Sequence, residues 1–246
     1  MSEHINELMK RINQIKGLGW IKSHRQGDTG IGKTFEDQLG VDENNIPTAD
    51  FRDIEIKTHR QASSSMITLF TKAPSYPKGA NTILRDNYGT ITEHGTKKLH
   101  TTVSSTNPTN SLLYKFNFQV KIDDDDNVVR LFIYNNKGIL INSDIFWSCS
   151  VFDDAIKKKL KTIAIIDAEE KVDKKGIHYF KYNKVKLVTG LTTNALKEAI
   201  RNGDVKIDIR IGTYNSGKNL GKVHDHGTGF RISLQNLIKY ADIIQL

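Results

Sequence analysis

The segment ADFRDIEIKTH, residues 49–59, carries two carboxylates and a lysine at a spacing suited to phosphodiester chemistry. On a strand, residues i and i+2 share a face. Ile54 and Ile56 therefore point into a core together, while Glu55 and Lys57 stand side by side on the opposite face. Asp50 lies just upstream, where a bend brings it next to Glu55. Phosphodiester cleavage needs charge neutralised on the phosphate and a water made nucleophilic. Asp and Glu oxygens hold Mg2+, a hard cation that keeps part of its water shell. Such an ion is a Lewis acid and lowers the pKa of its water. Lys57 is placed to orient that water and to stabilise the developing negative charge. Asp53 is in phase with Glu55 and competes with Asp50 for the acid role. An E-x-K pair on an exposed strand is also a common solvated ion pair, so the surroundings decide.

A second motif points elsewhere. GDTGIGKT, Gly27 to Thr34, fits the G-x-x-x-x-G-K-[ST] phosphate loop of nucleotide hydrolases. Such a loop sits between a buried strand and a helix whose N-terminal N–H groups face the phosphates. Upstream, Trp20 and Ile21 are followed by five polar residues, a poor buried strand. Downstream, Phe35 and Leu39 precede Gly40, little apolar surface for a core helix. The run IAIID, ending in Asp167, imitates the magnesium-holding strand of these enzymes, but apolar strands ending in Asp occur throughout α/β proteins. The alternative readings are a P-loop NTPase, which requires Lys33, and a non-catalytic DNA-binding protein, against which the intact Asp50, Glu55 and Lys57 argue. Glu36, two residues past the motif, is a candidate supporting acid for the Asp50–Glu55–Lys57 set.

The elements that must position these groups are legible in part. Ile5, Leu8, Met9, Ile12 and Ile15 form one helical stripe, and Gly17 stops it. DIEIKT alternates as a strand, with MITLFT as a neighbour that pairs beside it. Residues 73–111 are rich in Pro, Gly, Asn, Ser and Thr and show no period, the mark of a long functional loop. YKFNFQVKI, VVRLFIY and ILIN form a meander. The acids Asp123 to Asp126 are read as a solvated hairpin tip rather than a metal site. VFDDAIKKKLK is a weak basic helix, and TIAIID pairs with IHYFKYNKVKLV as a hairpin. TTNALKEAIRNG is a helix stopped at Gly203. In VKIDIRIG, Ile207, Ile209 and Ile211 face the core while Lys206, Asp208 and Arg210 share the other face. A Gly- and Lys-rich loop with HDHG follows, then a helix in LQNLIKY. The pattern predicts a mixed α/β fold with a largely antiparallel central sheet flanked by helices. It is expected to form one unit over residues 1–246. Two lobes are allowed: about 1–110, catalytic and joined by later core strands, and about 111–246, including recognition.

The chain has 246 residues, enough for a substantial core. Lys plus Arg total 36 against 28 acids, a net charge of +8 that suits a polyanionic partner. Cys149 is the one cysteine, so an internal disulfide is excluded and a reducing compartment fits. No apolar run approaches a membrane span, and the N-terminus lacks a signal-peptide core. The expectation is a soluble, cytoplasmic protein.

Taken together, GDTGIGKTFED, DFRDIEIKTH, LFTKAP, GANTILR, VKIDIRIG and HDHGTGFRI closely resemble the MvaI/BcnI group of type II restriction endonucleases. This prokaryotic group is related to the mismatch-repair nickase MutH and to nucleases of the PD-(D/E)xK type. The resemblance covers nearly the whole chain. It implies that Asp50, Glu55 and Lys57 are catalytic, with Glu36 in support. It implies Mg2+ held by Asp50, Glu55 and the carbonyl of Ile56. It implies hydrolysis of double-stranded DNA at CCNGG-type sites, here CC(A/T)GG, leaving 5′-phosphate and 3′-hydroxyl ends. It also implies a monomer with no nucleotide cofactor. In that setting GDTGIGKT becomes a tight turn capping the helix that bears Glu36.

Guanine offers O6 and N7 to arginine in the major groove, and cytosine's amino group suits a carboxylate. Asp208 and Arg210, on one strand face, are therefore candidates to read one C·G pair between them. His224, Asp225, His226 and Arg231 in HDHGTGFR are further candidates, the two histidines for the central pair. The competing metal reading of HDH lacks a distant cysteine and makes a poor zinc set. Lys72, Arg85, Lys218, Lys222 and Lys33 are candidates for DNA phosphates.

Overall fold

A computed structural model of the chain describes residues 2–41, 48–61, 66–225 and 227–246. The fold divides into two compact units that interleave along the sequence. Unit 1 comprises Met1–Ile67, Asp154–Thr192 and Ala241–Leu246, and unit 2 comprises Thr68–Asp153 and Thr193–Tyr240. The chain therefore crosses between units at four points, and a division near residue 110 is not among them. The reason lies in pairing: late strands complete the sheet begun by early ones.

In chain order, unit 1 opens with α1 (Glu3–Gly17), β1 (Ile21–Lys22), α2 (Gly30–Leu39) and β2 (Ile54–Arg60). The chain passes through β3 (Met66–Thr71) into unit 2, which adds α3 (Ala80–Tyr88), β4 (Thr90–Ile91), β5 (Lys97–Val103), β6 (Phe116–Asp123), β7 (Val128–Asn135) and β8 (Leu140–Ser148). Helix α4 (Ser150–Ala155) and a π-turn (Ile156–Leu160) lead back to unit 1, where β9 (Thr162–Val172) and β10 (His178–Thr189) form a hairpin. Unit 2 then receives α5 (Thr193–Arg201), β11 (Val205–Thr213), β12 (Val223–Asp225), β13 (Gly229–Ser233) and α6 (Leu234–Leu237), before β14 (Asp242–Gln245) returns to unit 1.

The mixed α/β character and the antiparallel bias are as expected, with the strands distributed over three sheets. Unit 1 holds the order β1-β10-β9-β2 with β14 on β10, and unit 2 holds β3-β13-β11-β5-β4 with β12 on β11, plus the meander β6-β7-β8. The β2–β9 pair is parallel. MITLFT does not pair beside DIEIKT: β3 joins β13, while β2 pairs with β9 at the end of the other sheet. The aperiodic stretch 73–111 contains α3, β4 and β5, elements too short to show a period.

The core of unit 1 is the α1 stripe and α2 packed on one face of the sheet. Leu8, Ile12, Ile15, Phe35 and Leu39 meet Ile54, Ile56, Ala164, Ile166, Phe180 and Tyr182. Unit 2 is centred on aromatics: Phe230 stacks on Phe70 at 4.6 Å and takes Phe152 and Trp147 edge-on. At the β6–β7 turn, Asp123 and Asp126 pair with Arg130, and Asp124 pairs with Lys197 and Arg201. The acids are thus matched by cations within unit 2, as a solvated tip requires. Among the described residues, no helix is long and apolar enough to cross a membrane.

Candidate active site

The chain enters β2 through a tight turn. Phe51 and Ile54 exchange main-chain hydrogen bonds of 3.0 and 2.8 Å, and Arg52 between them takes φ of 58°. This folds Asp50 back along the strand, where its Oδ2 accepts from the Ile56 N–H at 2.9 Å. Alternation then sorts the strand's side chains. Ile54 and Ile56 enter the core, and Glu55 and Lys57 take the other face, with Glu55 only 2% exposed.

Glu55 is held asymmetrically. Its Oε1 accepts from Lys57 Nζ at 2.5 Å and lies 3.8 Å from Lys159 Nζ. Its Oε2 is buried with no hydrogen-bond partner. Burial pushes the Glu55 carboxyl above its usual range; Lys57 opposes that shift and the charge of Asp50 adds to it. A buried carboxylate oxygen without a donor is costly unless something else satisfies it. A divalent cation fits that position. The available donors, two carboxylates and the Ile56 carbonyl, are all oxygen, which is the preference of a hard cation. Among the described residues there is no group of three or more His, Cys, Asp or Glu side chains placed to hold a metal.

Other candidates fall elsewhere. Asp53 faces away and accepts from His4 Nδ1 at 2.7 Å, which holds its carboxyl below the usual range. Of the two candidate acids, Asp50 is the one folded against β2. Glu36 lies on α2 beside Gly32, where Thr58 also comes close. Thr58 belongs to the face of β2 opposite Glu55 and Lys57, and the charges of Lys57, Asp50 and Lys159 act on Glu55. Lys33 donates to Asp37 Oδ1 at 2.6 Å, one turn along α2, and His24 Nδ1 shares the same carboxylate.

The GDTGIGKT segment is not arranged as a phosphate cradle. The strand before it is the two-residue β1. The Gly30 N–H donates to the Gly27 carbonyl and the Lys33 N–H to the Thr29 carbonyl. Gly27 has φ of 76°, and a Cβ on Gly30 would lie 2.5 Å from both the Arg25 carbonyl oxygen and Ser23 Oγ. The glycines serve a turn pressed against its own chain. Asp167, at the end of IAIID, is paired with Lys186 and His59.

The candidate base-reading side chains lie in unit 2, on the outer face of β11 and its neighbours. Asp208 is buried. Its Oδ1 accepts from Thr102 Oγ1 at 3.0 Å, and its Oδ2 accepts from Arg210 Nε at 2.7 Å and Arg231 Nη1 at 2.9 Å. Both oxygens are thus engaged within the protein. Arg210 is half-exposed. His224, on β12 rather than in a loop, stacks on Tyr214 with centroids 4.1 Å apart. Asp225 accepts from Asn81 Nδ2 at 2.6 Å and from the Gly227 N–H at 2.8 Å. His226 lies outside the described residues. Arg85 is not at the surface: it is buried, donating to Asp86, Thr213 and the Gly221 carbonyl. It fixes the 214–222 loop, and a phosphate would have to displace those partners. Lys72, Lys218 and Lys222 are exposed.

A sequence model of the MvaI/BcnI restriction endonuclease family matches residues 9–239. The chain belongs to this family. Among solved structures, it is similar to "Restriction endonuclease MvaI-cognate DNA substrate complex". The identity is 47%, the alignment covers 100% of this chain and 99% of the other, and the TM-score is 0.94. It is also similar to "Restriction endonuclease MvaI in the absence of DNA". There the identity is 46%, the coverage is 100% and 98%, and the TM-score is 0.68. No curated protein sequence matches the chain.

This MvaI/BcnI family member is therefore a restriction endonuclease, a site-specific DNA nuclease. Two residues in contact with these candidates escape sequence reasoning. Lys159 sits in KKKLK, where three lysines in a row give no hint that a π-turn aims one of them at Glu55. π-Turns do concentrate at functional sites, but a five-residue one has no sequence signature. Thr102 lies on β5, inside the stretch without a period.

Proposed function

We propose that this protein cleaves both strands of duplex DNA at CC(A/T)GG sites in a Mg2+-dependent reaction that leaves 5′-phosphate and 3′-hydroxyl ends. The observation that carries the chemistry is the partnerless buried Oε2 of Glu55, with Asp50 folded alongside and Lys57 on the other oxygen. Asp50, Glu55 and the Ile56 carbonyl would hold the cation. When bound, it would neutralise phosphate charge and supply an acidic water. Lys57 Nζ hydrogen-bonds the attacking water and offsets negative charge that develops on the phosphoryl oxygens. Lys159 keeps a second positive charge at Glu55 Oε1, so Lys57 can turn to the water without leaving that oxygen unpaired.

Specificity is assigned to unit 2. Arg210 and Arg231 are suited to guanine, the stacked His224 to the central pair, and Lys72, Lys218 and Lys222 to phosphates. The net charge of +8 matches a polyanionic substrate. Glu36 is retained only as a supporting acid, and Lys33 as a side chain of its own helix. The site preference and the monomeric state rest on likeness to MvaI and on the Asp50–Glu55–Lys57 set. The test is digestion of a plasmid of known sequence, with Mg2+ and without nucleotide. Fragments ending at CC(A/T)GG are expected; fragments at other sites, or none, would refute the reading.

A further inference from the structure

The arrangement around Asp208 suggests a role different from base contact. A carboxylate reads cytosine by accepting from its amino group. Asp208 has both oxygens engaged by Thr102, Arg210 and Arg231, and its side chain is 8% exposed. Three of the roughly four acceptor directions of the carboxylate are thus filled from within the protein, and its burial leaves little of the remaining one open to a base. The surrounding sheet holds the three donors in place. Thr102 is in register with Asp208 across β5–β11, and Gly229 is in register across β11–β13. The Arg231 stem lies over Gly229, whose missing Cβ would stand 3.5 Å from Arg231 Cγ. The glycine leaves the corridor through which Arg231 reaches Asp208 from two residues along. Arg210 gives Asp208 its Nε, which leaves the two terminal nitrogens of its fork for a partner outside.

We propose that Asp208 is a positioning residue that aims Arg210 and Arg231 together at the two consecutive guanines of one strand. This rests on the CC(A/T)GG reading above. Two guanidinium donors on one oxygen atom lie within a few ångströms of each other. That is the scale of the ~3.4 Å rise between stacked bases, so the pair matches a GG step better than separated guanines. A forked guanidinium held by a carboxylate on one edge loses little freedom when it meets O6 and N7 on the other.

Base analogues separate this role from direct readout. Binding in Ca2+ is measured for the wild type and Asp208→Asn on four duplexes: the CC(A/T)GG site, the same site with 7-deazaguanine in the GG step, the same site with 2-pyrimidinone for the cytosine opposite, and a scrambled site. Removing N7 should weaken the wild type about tenfold, the scale of one hydrogen bond to a charged group. In Asp208→Asn that penalty should shrink to about twofold, while the 2-pyrimidinone penalty stays at its wild-type value. Thr102→Val removes one strut without touching either arginine and should shrink the 7-deazaguanine penalty partly, which keeps the test intact if Asp208→Asn does not fold. An unchanged 7-deazaguanine penalty in the folded variants, or loss of the 2-pyrimidinone penalty instead, overturns the positioning role while the site reading survives. A wild type that does not prefer the CC(A/T)GG duplex over the scrambled one overturns both.

Discussion

Glu55 gives one carboxylate oxygen to Lys57 at 2.5 Å and keeps the other buried without a partner. The two oxygens thus have separate duties, one for charge within the protein and one for a ligand. Asp50→Ala, Glu55→Ala and Lys57→Ala should each lower cleavage on the order of a thousandfold. Specific binding should persist, because these groups face metal and water rather than base edges. The two acid variants should bind at least as well as the wild type, since repulsion of the phosphate is relieved. Gel shift in Ca2+ and cleavage in Mg2+ on one duplex measure both properties. Normal cleavage by Lys57→Ala would remove the proposed active site.

Lys159 reaches the same oxygen of Glu55 from a different element, at 3.8 Å. Its contribution should be smaller than that of Lys57, which is closer. Lys159→Ala should slow single-turnover cleavage about tenfold, or roughly 1.4 kcal/mol of barrier. Lys159→Arg should recover most of the rate, because the role is charge at Oε1 rather than proton transfer. Wild-type rates for Lys159→Ala would assign Lys159 to the solvated surface.

Gly30 and Lys33 test what the GDTGIGKT segment is for. Ala at position 30 would push a Cβ to 2.5 Å from the Arg25 carbonyl oxygen and from Ser23 Oγ. Gly30→Ala should cost about 1–3 kcal/mol, as overpacking does, visible as a lower melting temperature. Lys33→Ala removes an i,i+4 pair with Asp37, itself worth about 0.5 kcal/mol. ATP should leave the cleavage rate unchanged in both the wild type and Lys33→Ala. Stimulation by ATP that depends on Lys33 would restore the nucleotide-hydrolase reading.

The contrast between the two regions shows what a sequence can carry. The active-site strand was legible because its period of two and its residue types agree: Ile54 and Ile56 need a core, and Glu55 and Lys57 need each other. Its upstream turn needed only Asp50 to be within reach. The α1 stripe was legible for the same reason. Pairing partners were not legible. MITLFT reads equally well beside any strand, and its pairing with β13 rather than β2 is set by the chain's long-range topology, which no local period encodes. Arg85 reads as a surface cation because arginine usually is one; its burial depends on acceptors from Asp86, Thr213 and Gly221, two of them more than a hundred residues away. Asp208 and Arg210 were correctly placed on one face. Their bond to each other, and Arg231 arriving over Gly229, come from cross-strand register that no local period encodes.

The Asp50–Glu55–Lys57 set has a consequence for assembly. One such set cuts one strand per binding event. A site with a central base pair lacks exact two-fold symmetry there, so a symmetric dimer would have to treat that pair alike from both sides, whereas a monomer has no such constraint. The chain should therefore be a monomer in solution and on DNA, nicking one strand and then binding in the opposite orientation to cut the other. Light scattering of the DNA complex should give the mass of one 27.8 kDa chain per duplex. Supercoiled plasmid with one site should pass through an open-circular form before it becomes linear, and the nicked form should be most prominent at limiting enzyme. A complex of two chains that linearises plasmid with no nicked intermediate, even when plasmid is in excess, would rule this mechanism out.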